Sequence, residues 1–417
     1  MSLVGAAFET SRLLRQQWLS PDRLRAIQWA RLQAIVRHAE RRSRFHRERF
    51  RGAGFSSDDL RTWDDLARIP VTTRDDLQEP ERLLADGYAP ARLRRSHTSG
   101  STGKPTTTYF DERAWTLGRH ALKLRARLAS GLRPWDRIAV FQEDVPEGFA
   151  TALAGRRASV SLHRTPAEIA DELTRFAPTA LYGPPSQLLR LSEAGAKLAG
   201  LRLIFTSAEL LDGLTRGRLE RDFGVPVLDI YGCTETKEVA WQCRERGGYH
   251  VNAEWLVVEI CKGKEPGGLP EGTILITSLY NRGMPLLRYR VGDTGRSLAG
   301  GCACGRGLPL ILPTDGRAVD YLSLPAGGRV SPYTLTCSVE NVRGLGQYQI
   351  VQEARDRVVM RVIPRGTLAP EAREELRQAL SASLTGIEVR VEIVESLPRE
   401  PSGKFRVVRS DVSRPGH

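Results

Sequence analysis

The residues best able to do chemistry sit in short glycine-bearing stretches. Of only seven lysines in the chain, two lie in such stretches: Lys104 in HTSGSTGKPT (97–106) and Lys404 in PREPSGKFR (398–406). Backbone N–H groups of a flexible loop, seconded by hydroxyls and an ammonium, can grip a polyphosphate. A Walker loop needs G-x-x-x-x-G-K-[ST]. Here Thr98 occupies the first glycine position and Pro105 follows Lys104, so the P-loop NTPase reading fails. A phosphate-gripping loop is the chemical reading, and a surface linker is its competitor. Four further stretches carry carboxylates and aromatics: TSAEL (206–210), DIYGCTE (229–235), RYRVGD (288–293) and DGRAVD (315–320).

A second constellation is softer. Cys243, His250, Cys302 and Cys304 offer three thiols and one imidazole, spaced C-x6-H and then C-x-C within GGCACGRG. That donor set suits a closed tetrahedral zinc site, which would be structural because no coordination position stays open. Glycines around the C-x-C allow a tight turn that aims both thiolates at one point. Against this stands the plainer reading of three free cysteines and a surface histidine. Cys261 and Cys337 lie in apolar contexts and read as core residues.

These residues need elements to position them. Apolar residues at three- and four-residue steps, Leu13, Leu14, Trp18, Leu24 and Ile27 among them, predict helix from residue 8 to about 50. After the glycine loop, RAWTLGRHALKLRARLASG reads as a helix and DRIAVF as a strand. Thr165, Pro166 and Glu168 form a capping box before a helix that Pro178 stops. The strands TALYG and LRLIFTS, alternating with helices, predict an open α/β sheet. In such sheets ligands bind beyond the carboxyl ends of strands, where TSAEL and DIYGCTE fall. From about 254 the texture is strands only (EWLVVEI, GTILITSL, LLRYRV), predicting a small antiparallel sheet or barrel. The last stretch reads as two strands, a helix near 369–384 and the strand IEVRVEIV, a small α+β domain.

The formal net charge of +13 is carried by arginines mixed with acids, which reads as a solvated surface rather than a nucleic-acid groove. No apolar run is long enough to span a membrane. The start has no basic leader, and the few cysteines imply no disulfide framework, so a cytoplasmic home is expected.

Taken in order, the six motifs resemble the adenylate-forming superfamily, and within it the phenylacetate–CoA ligase branch and its capsular-polysaccharide ligase-like members. The resemblance runs from the N-terminal helix to about residue 410. It implies a large adenylation domain (1–316) that holds ATP and the acid, with a small mobile domain (317–417). It further implies that a carboxylate attacks the ATP α-phosphate, giving an acyl-adenylate and pyrophosphate, and that an acceptor then displaces AMP. By this likeness Thr98, Ser99, Gly100, Ser101, Thr102, Gly103 and Lys104 cradle the pyrophosphate. Ala208, Glu209, Asp229, Tyr231 and Gly232 surround adenine, with Thr234 on the α-phosphate and Glu235 on magnesium. Asp293, with Arg317 nearby, takes the ribose, and Lys404 bridges the acid carboxylate and the α-phosphate. Asp293 has a competing reading as a turn aspartate, and Lys404 as a solvated tail lysine.

Two positions depart from the family pattern. Val319 stands where the hinge Asp or Lys is usual, with the acid one later at Asp320, which puts the coenzyme A half-reaction in doubt. The stretch QEDVPEGFATALAGRRASVS (142–161) is shorter than in phenylacetate ligases, opening the choice of acid. An aryl carboxylic acid is the expected substrate. Phe141, Tyr182, Gly183, Pro184 and Cys233 are candidate walls, with core packing as the alternative for the first two. The acceptor stays open among coenzyme A, an amine and a carrier-protein thiol, and so does a homodimer. A nucleotide-sensing module without catalysis is the other class, and nucleic-acid binding ranks last.

Overall fold

The computed structural model describes residues 3–97, 106–142, 145, 149–152, 155–161, 164–262, 272–315, 322–325, 329–330, 332–339, 342–364, 366–398 and 405–412. The chain forms two compact units, one of Met1–Pro134 with Leu228–Pro313 and one of Trp135–Val227 with Thr314–His417.

The first unit begins with helices Leu3–Gln16, Pro21–Arg42 and Arg44–Gly52, not the single helix expected from residue 8 to 50. The breaks have local causes. Ser20 caps the second helix by accepting from the Arg23 N–H, with Pro21 at its first position, and Ser43 caps the third through the His46 N–H. Periodicity alone carried across these caps. Apolar residues of the last two helices, including Leu32, Ile35, Val36 and Phe50, pack with Val257, Leu279 and Leu287. The expected helix after the glycine loop runs from Glu112, capped by Asp111, to Ala129. A π turn over Leu117–Leu122 interrupts it.

Within the same unit, Leu256–Ile260, Thr273–Ser278 and Tyr289–Leu298 are successive antiparallel neighbours, as the strands-only texture predicted. Leu310–Asp315, Tyr249–Val251, Lys237–Gln242 and Val227–Cys233 extend that sheet in order. The turn between the last two strands places DIYGCTE, and a register shift falls between Tyr231 and Gly232.

In the second unit Leu203–Thr206, Ala180–Gly183, Ile138–Gln142 and Arg157–Ser161 form the parallel α/β sheet, with Phe149–Ala152 added antiparallel at the edge. The shortened stretch after DRIAVF therefore still contributes strands. Helices Pro166–Phe176 and Pro185–Glu193 bury Ile169, Leu173, Leu188 and Leu191 against that sheet. The C-terminal residues of the unit build a four-stranded sheet in the order Glu388–Ile393, Arg357–Ile363, Gln347–Ala354 and Val408–Ser410, with helix Pro370–Ser383 packed through Leu376 and Leu380. The α/β class with a smaller α+β portion is what the sequence predicted.

Candidate active site

In the first unit, two motifs that lie far apart in sequence meet through a reciprocal pair of bonds. Tyr231 of DIYGCTE donates its hydroxyl to Asp293 Oδ2 at 2.7 Å, and Tyr289 of RYRVGD donates to Glu235 Oε1 at 2.9 Å. Each motif thus lends a phenol to the other motif's carboxylate. Burial and the facing carboxylate push both phenols above their usual range, Tyr231 by Asp293 and Tyr289 by Glu235, so both remain donors. Charge-assisted bonds of this kind fix a carboxylate in direction.

The surrounding residues fix the turn. Gly232 could carry no β-carbon, which would lie 2.8 Å from the Lys237 carbonyl oxygen. The Cys233 thiol sits 3.0 Å from Thr236 Oγ1, and burial followed by Glu235 pushes it far up, so it is no nucleophile. Thr234 lies half-buried in the same turn. Asp229 is buried, and its carboxylate accepts from Tyr249 Oη at 2.7 Å. For the magnesium that the resemblance implies, Glu235 offers the oxygen donor a hard cation takes.

In the second unit, Ala208 adopts φ 76, a left-handed conformation a β-carbon disfavours, and thereby turns TSAEL. Glu209 accepts from the Ser186 N–H (3.0 Å), the Ser186 hydroxyl (2.9 Å) and the Phe405 N–H (2.8 Å). Phe405 directly follows Lys404, so the C-terminal motif is tied by its backbone to TSAEL. Phe141 is buried among Val160, Ile169 and Leu181, the packing role held open for it. A β-carbon on Gly183 would come within 3.0 Å of Phe141 Cβ. Tyr182 is half-buried, and Pro184 precedes helix Pro185–Glu193 as its cap residue. Thr98, Ser99, Gly100, Ser101, Thr102, Gly103, Lys104, Arg317, Val319, Asp320 and Lys404 lie outside the described residues.

The soft constellation also assembles, again in the first unit. One donor atom from each of Cys243, His250, Cys302 and Cys304 lies within 4.8 Å of the others. Cys243 Sγ is 3.5 Å from Cys302 Sγ, and Cys304 Sγ is 3.4 Å from His250 Nε2. Zinc–sulfur bonds of about 2.3 Å would separate two tetrahedral sulfurs by roughly 3.8 Å, so the donors fit the ion. Burial pushes the Cys243 thiol up to about 12 and His250 down to about 4. Burial raises Cys304 too, but bonds from Arg306 hold it below its usual value. The Trp241 ring packs 5.0 Å from the His250 ring, and Nδ1 is buried with no hydrogen-bond partner among the described residues.

Sequence reasoning passed over Tyr289, Tyr249 and Ser186, which orient Glu235, Asp229 and Glu209. Tyr289 stood inside a quoted motif; for the other two no motif gave a signal.

Comparison with known proteins agrees with this layout. Residues 322–411 match the family model for the CapK C-terminal domain. The chain is 29% identical over 426 residues to the phenylacetate-coenzyme A ligase of Escherichia coli K12, covering 93% of this chain and 95% of that protein. It is 22% identical to protein CapK of Staphylococcus aureus, covering 99% and 96%. A crystal structure of 2-hydroxyisobutyryl-CoA ligase in the postadenylation state superposes with a TM-score of 0.77 at 23% identity, over 94% of this chain and 90% of that one. Along nearly its whole length the chain is thus similar to phenylacetate–CoA ligases and to CapK, and residues 322–411 match the CapK C-terminal domain.

Proposed function

We propose that this protein is an ATP-dependent, AMP-forming carboxylate ligase that makes an acyl-adenylate from an aryl carboxylic acid and passes the acyl group to coenzyme A. The observation that carries the reading is the reciprocal pairing of Tyr231 with Asp293 and Tyr289 with Glu235. It holds two carboxylates ready in the two motifs that the resemblance assigns to ribose and magnesium. Names of the curated relatives support the thioester product.

In this reading the chain's work is positioning and electrostatics. Attack of a carboxylate on the α-phosphate joins two anions, so donors and cations must converge where charge develops. Asp293 accepts from the ribose hydroxyls, its direction set by Tyr231. Glu209, fixed by Ser186, borders adenine with Ala208, and the Glu209–Phe405 bond holds the segment carrying Lys404. Lys404 then neutralises the acid carboxylate and the α-phosphate, and the loop 98–104 receives the leaving pyrophosphate. Glu235, aimed by Tyr289, would hold magnesium, which when bound screens the phosphate oxygens. Cys243, His250, Cys302 and Cys304 would hold zinc as a brace, with no part in the reaction. Residues 317–417 would move as a unit between the half-reactions.

The test incubates purified protein with ATP, magnesium and a panel of aryl, aliphatic and sugar acids, with and without coenzyme A. AMP and an acyl-CoA thioester, both requiring one acid class, are expected. AMP formed only in the presence of an amine, or no AMP at all, would contradict the thioester reading.

A further inference from the structure

Lys237 is held unlike a surface lysine. It follows Glu235 by two residues in the turn of DIYGCTETK, and its backbone takes φ 67, a conformation that penalises any side chain with a β-carbon. Its ammonium donates to Ser96 Oγ at 2.6 Å and lies 4.5 Å from the Phe110 ring centre and 5.0 Å from that of Trp115. The aliphatic stem crosses Gly118, where a β-carbon would fall 2.9 Å from Lys237 Cγ. Gly118 belongs to the π turn Leu117–Leu122, a widened turn of the kind that recurs at functional sites. Strained backbone, π turn and missing β-carbon all serve to place one ammonium.

That ammonium has no ion-pair partner among the described residues. The acids around it are engaged elsewhere: Glu238 faces Lys123 at 3.7 Å, and Glu235 accepts from Tyr289. The Lys237 side chain is itself half-buried, with its ammonium over the two rings. A desolvated cation with no counter-ion is costly to keep, and a fold that strains its backbone to keep one has a use for it. The missing component is an anion. Ser96 stands two residues before Thr98 and Lys237 two after Glu235, so both flank motifs of the proposed site.

We propose that Lys237 Nζ, with Ser96 Oγ, receives a second carboxylate of the acid substrate, the one that is not activated, so that the protein selects a dicarboxylic acid. The inference rests on the ligase reading and narrows its substrate class. The half-buried Trp115 ring beside the ammonium favours an organic acid over a phosphate group of ATP, because it can cover an apolar acid body and a polyphosphate has none.

Two measurements test it on the full-length protein. Acid-dependent AMP formation is compared for benzoate and phenylacetate against phthalate, isophthalate and homophthalate. In parallel, calorimetry follows binding of the same acids without ATP. The wild type should prefer a dicarboxylate, and Lys237→Met should lower that preference in kcat/KM roughly 10- to 100-fold, the worth of a charge-assisted bond. Gly118→Ala, which keeps the charge but displaces the stem, should lower it too. The thermal midpoint of Lys237→Met should be unchanged or raised, whereas a merely structural lysine would lower it. Turnover of monoacids with an unchanged preference in Lys237→Met would overturn the inference and leave the ligase reading standing. A variant that instead raises KM for ATP alone would also overturn it, assigning the site to phosphate. If no acid yields AMP but calorimetry shows Lys237-dependent dicarboxylate binding, the inference stands and the ligase reading falls. Absence of both overturns both.

Discussion

Two clusters in one unit of this protein are built from opposite chemistry. The Tyr231–Asp293 and Tyr289–Glu235 pairs are internally satisfied: each carboxylate has a phenol donor, and the bonds do not depend on a ligand. The Cys243–His250–Cys302–Cys304 cluster is not. Its donors lie side by side, Cys243, His250 and Cys302 buried and Cys304 half-buried, and the buried His250 Nδ1 lacks a hydrogen-bond partner among the described residues. A site that binds and releases substrate must be stable empty; a brace can depend on what it holds. The first cluster should therefore govern turnover, and the second the persistence of the fold.

The sharpest way to break that contrast is at the cluster of thiols. Cys302→Ser should abolish stoichiometric zinc, read by atomic emission, and cost about 4 kcal/mol or more in unfolding free energy, because metal binding contributes directly to folding. Zinc uptake by the stripped protein should release protons, seen with a pH dye, since Cys243 near 12 starts as the thiol. Unchanged stability without metal would remove the brace.

At the carboxylates the expected effect falls on rate. Asp293→Asn and Glu235→Gln should each lower acid-dependent AMP formation about 100-fold, near the loss seen when one transition-state contact is removed. Both should leave stability within about 1 kcal/mol, because an amide oxygen still accepts from the phenol. Equal losses in rate and stability would erase the distinction.

Tyr289→Phe should act more weakly, costing about 1 kcal/mol of stability and about tenfold in rate, since Glu235 loses its orienting donor but keeps its charge. Thermal midpoints and kcat measured together separate the two effects.

The smallest effect is a pH dependence at Lys237. Its folded value near 8 lies below the unfolded one, so above pH 8 the folded state sheds a proton that the unfolded chain keeps until about 10.5. Stability contributed by this group should rise with pH through that window, by on the order of 2 kcal/mol or less given its partial exposure. Lys123, Cys233, Glu235 and Glu238 face the same ammonium and set the slope. A matching rise in Lys237→Met would assign it elsewhere.

Much of this was legible in the sequence because it is local. The Thr165–Pro166–Glu168 cap, the α/β alternation and the C-terminal strands and helix all follow from patterns within a few residues. The cysteine–histidine set was legible because few other residue types bind soft metals. What sequence missed depends on contacts between distant residues. Tyr289 reads as one more apolar position of a strand until Glu235, 54 residues away, is found beside it. Lys237 was hidden differently: its meaning lies in the absence of an ion-pair partner among the described residues, which no motif records. Even the first helix was misread for a local reason, as the Ser20–Pro21 start was outweighed by a periodicity that runs through it.

The most direct test of the account is exchange of labelled pyrophosphate into ATP, run without any acceptor. The account predicts exchange that requires an acid, proceeds without coenzyme A and drops about 100-fold in Asp293→Asn. Tight ATP binding with no exchange for any acid, or exchange indifferent to Asp293→Asn, would contradict it.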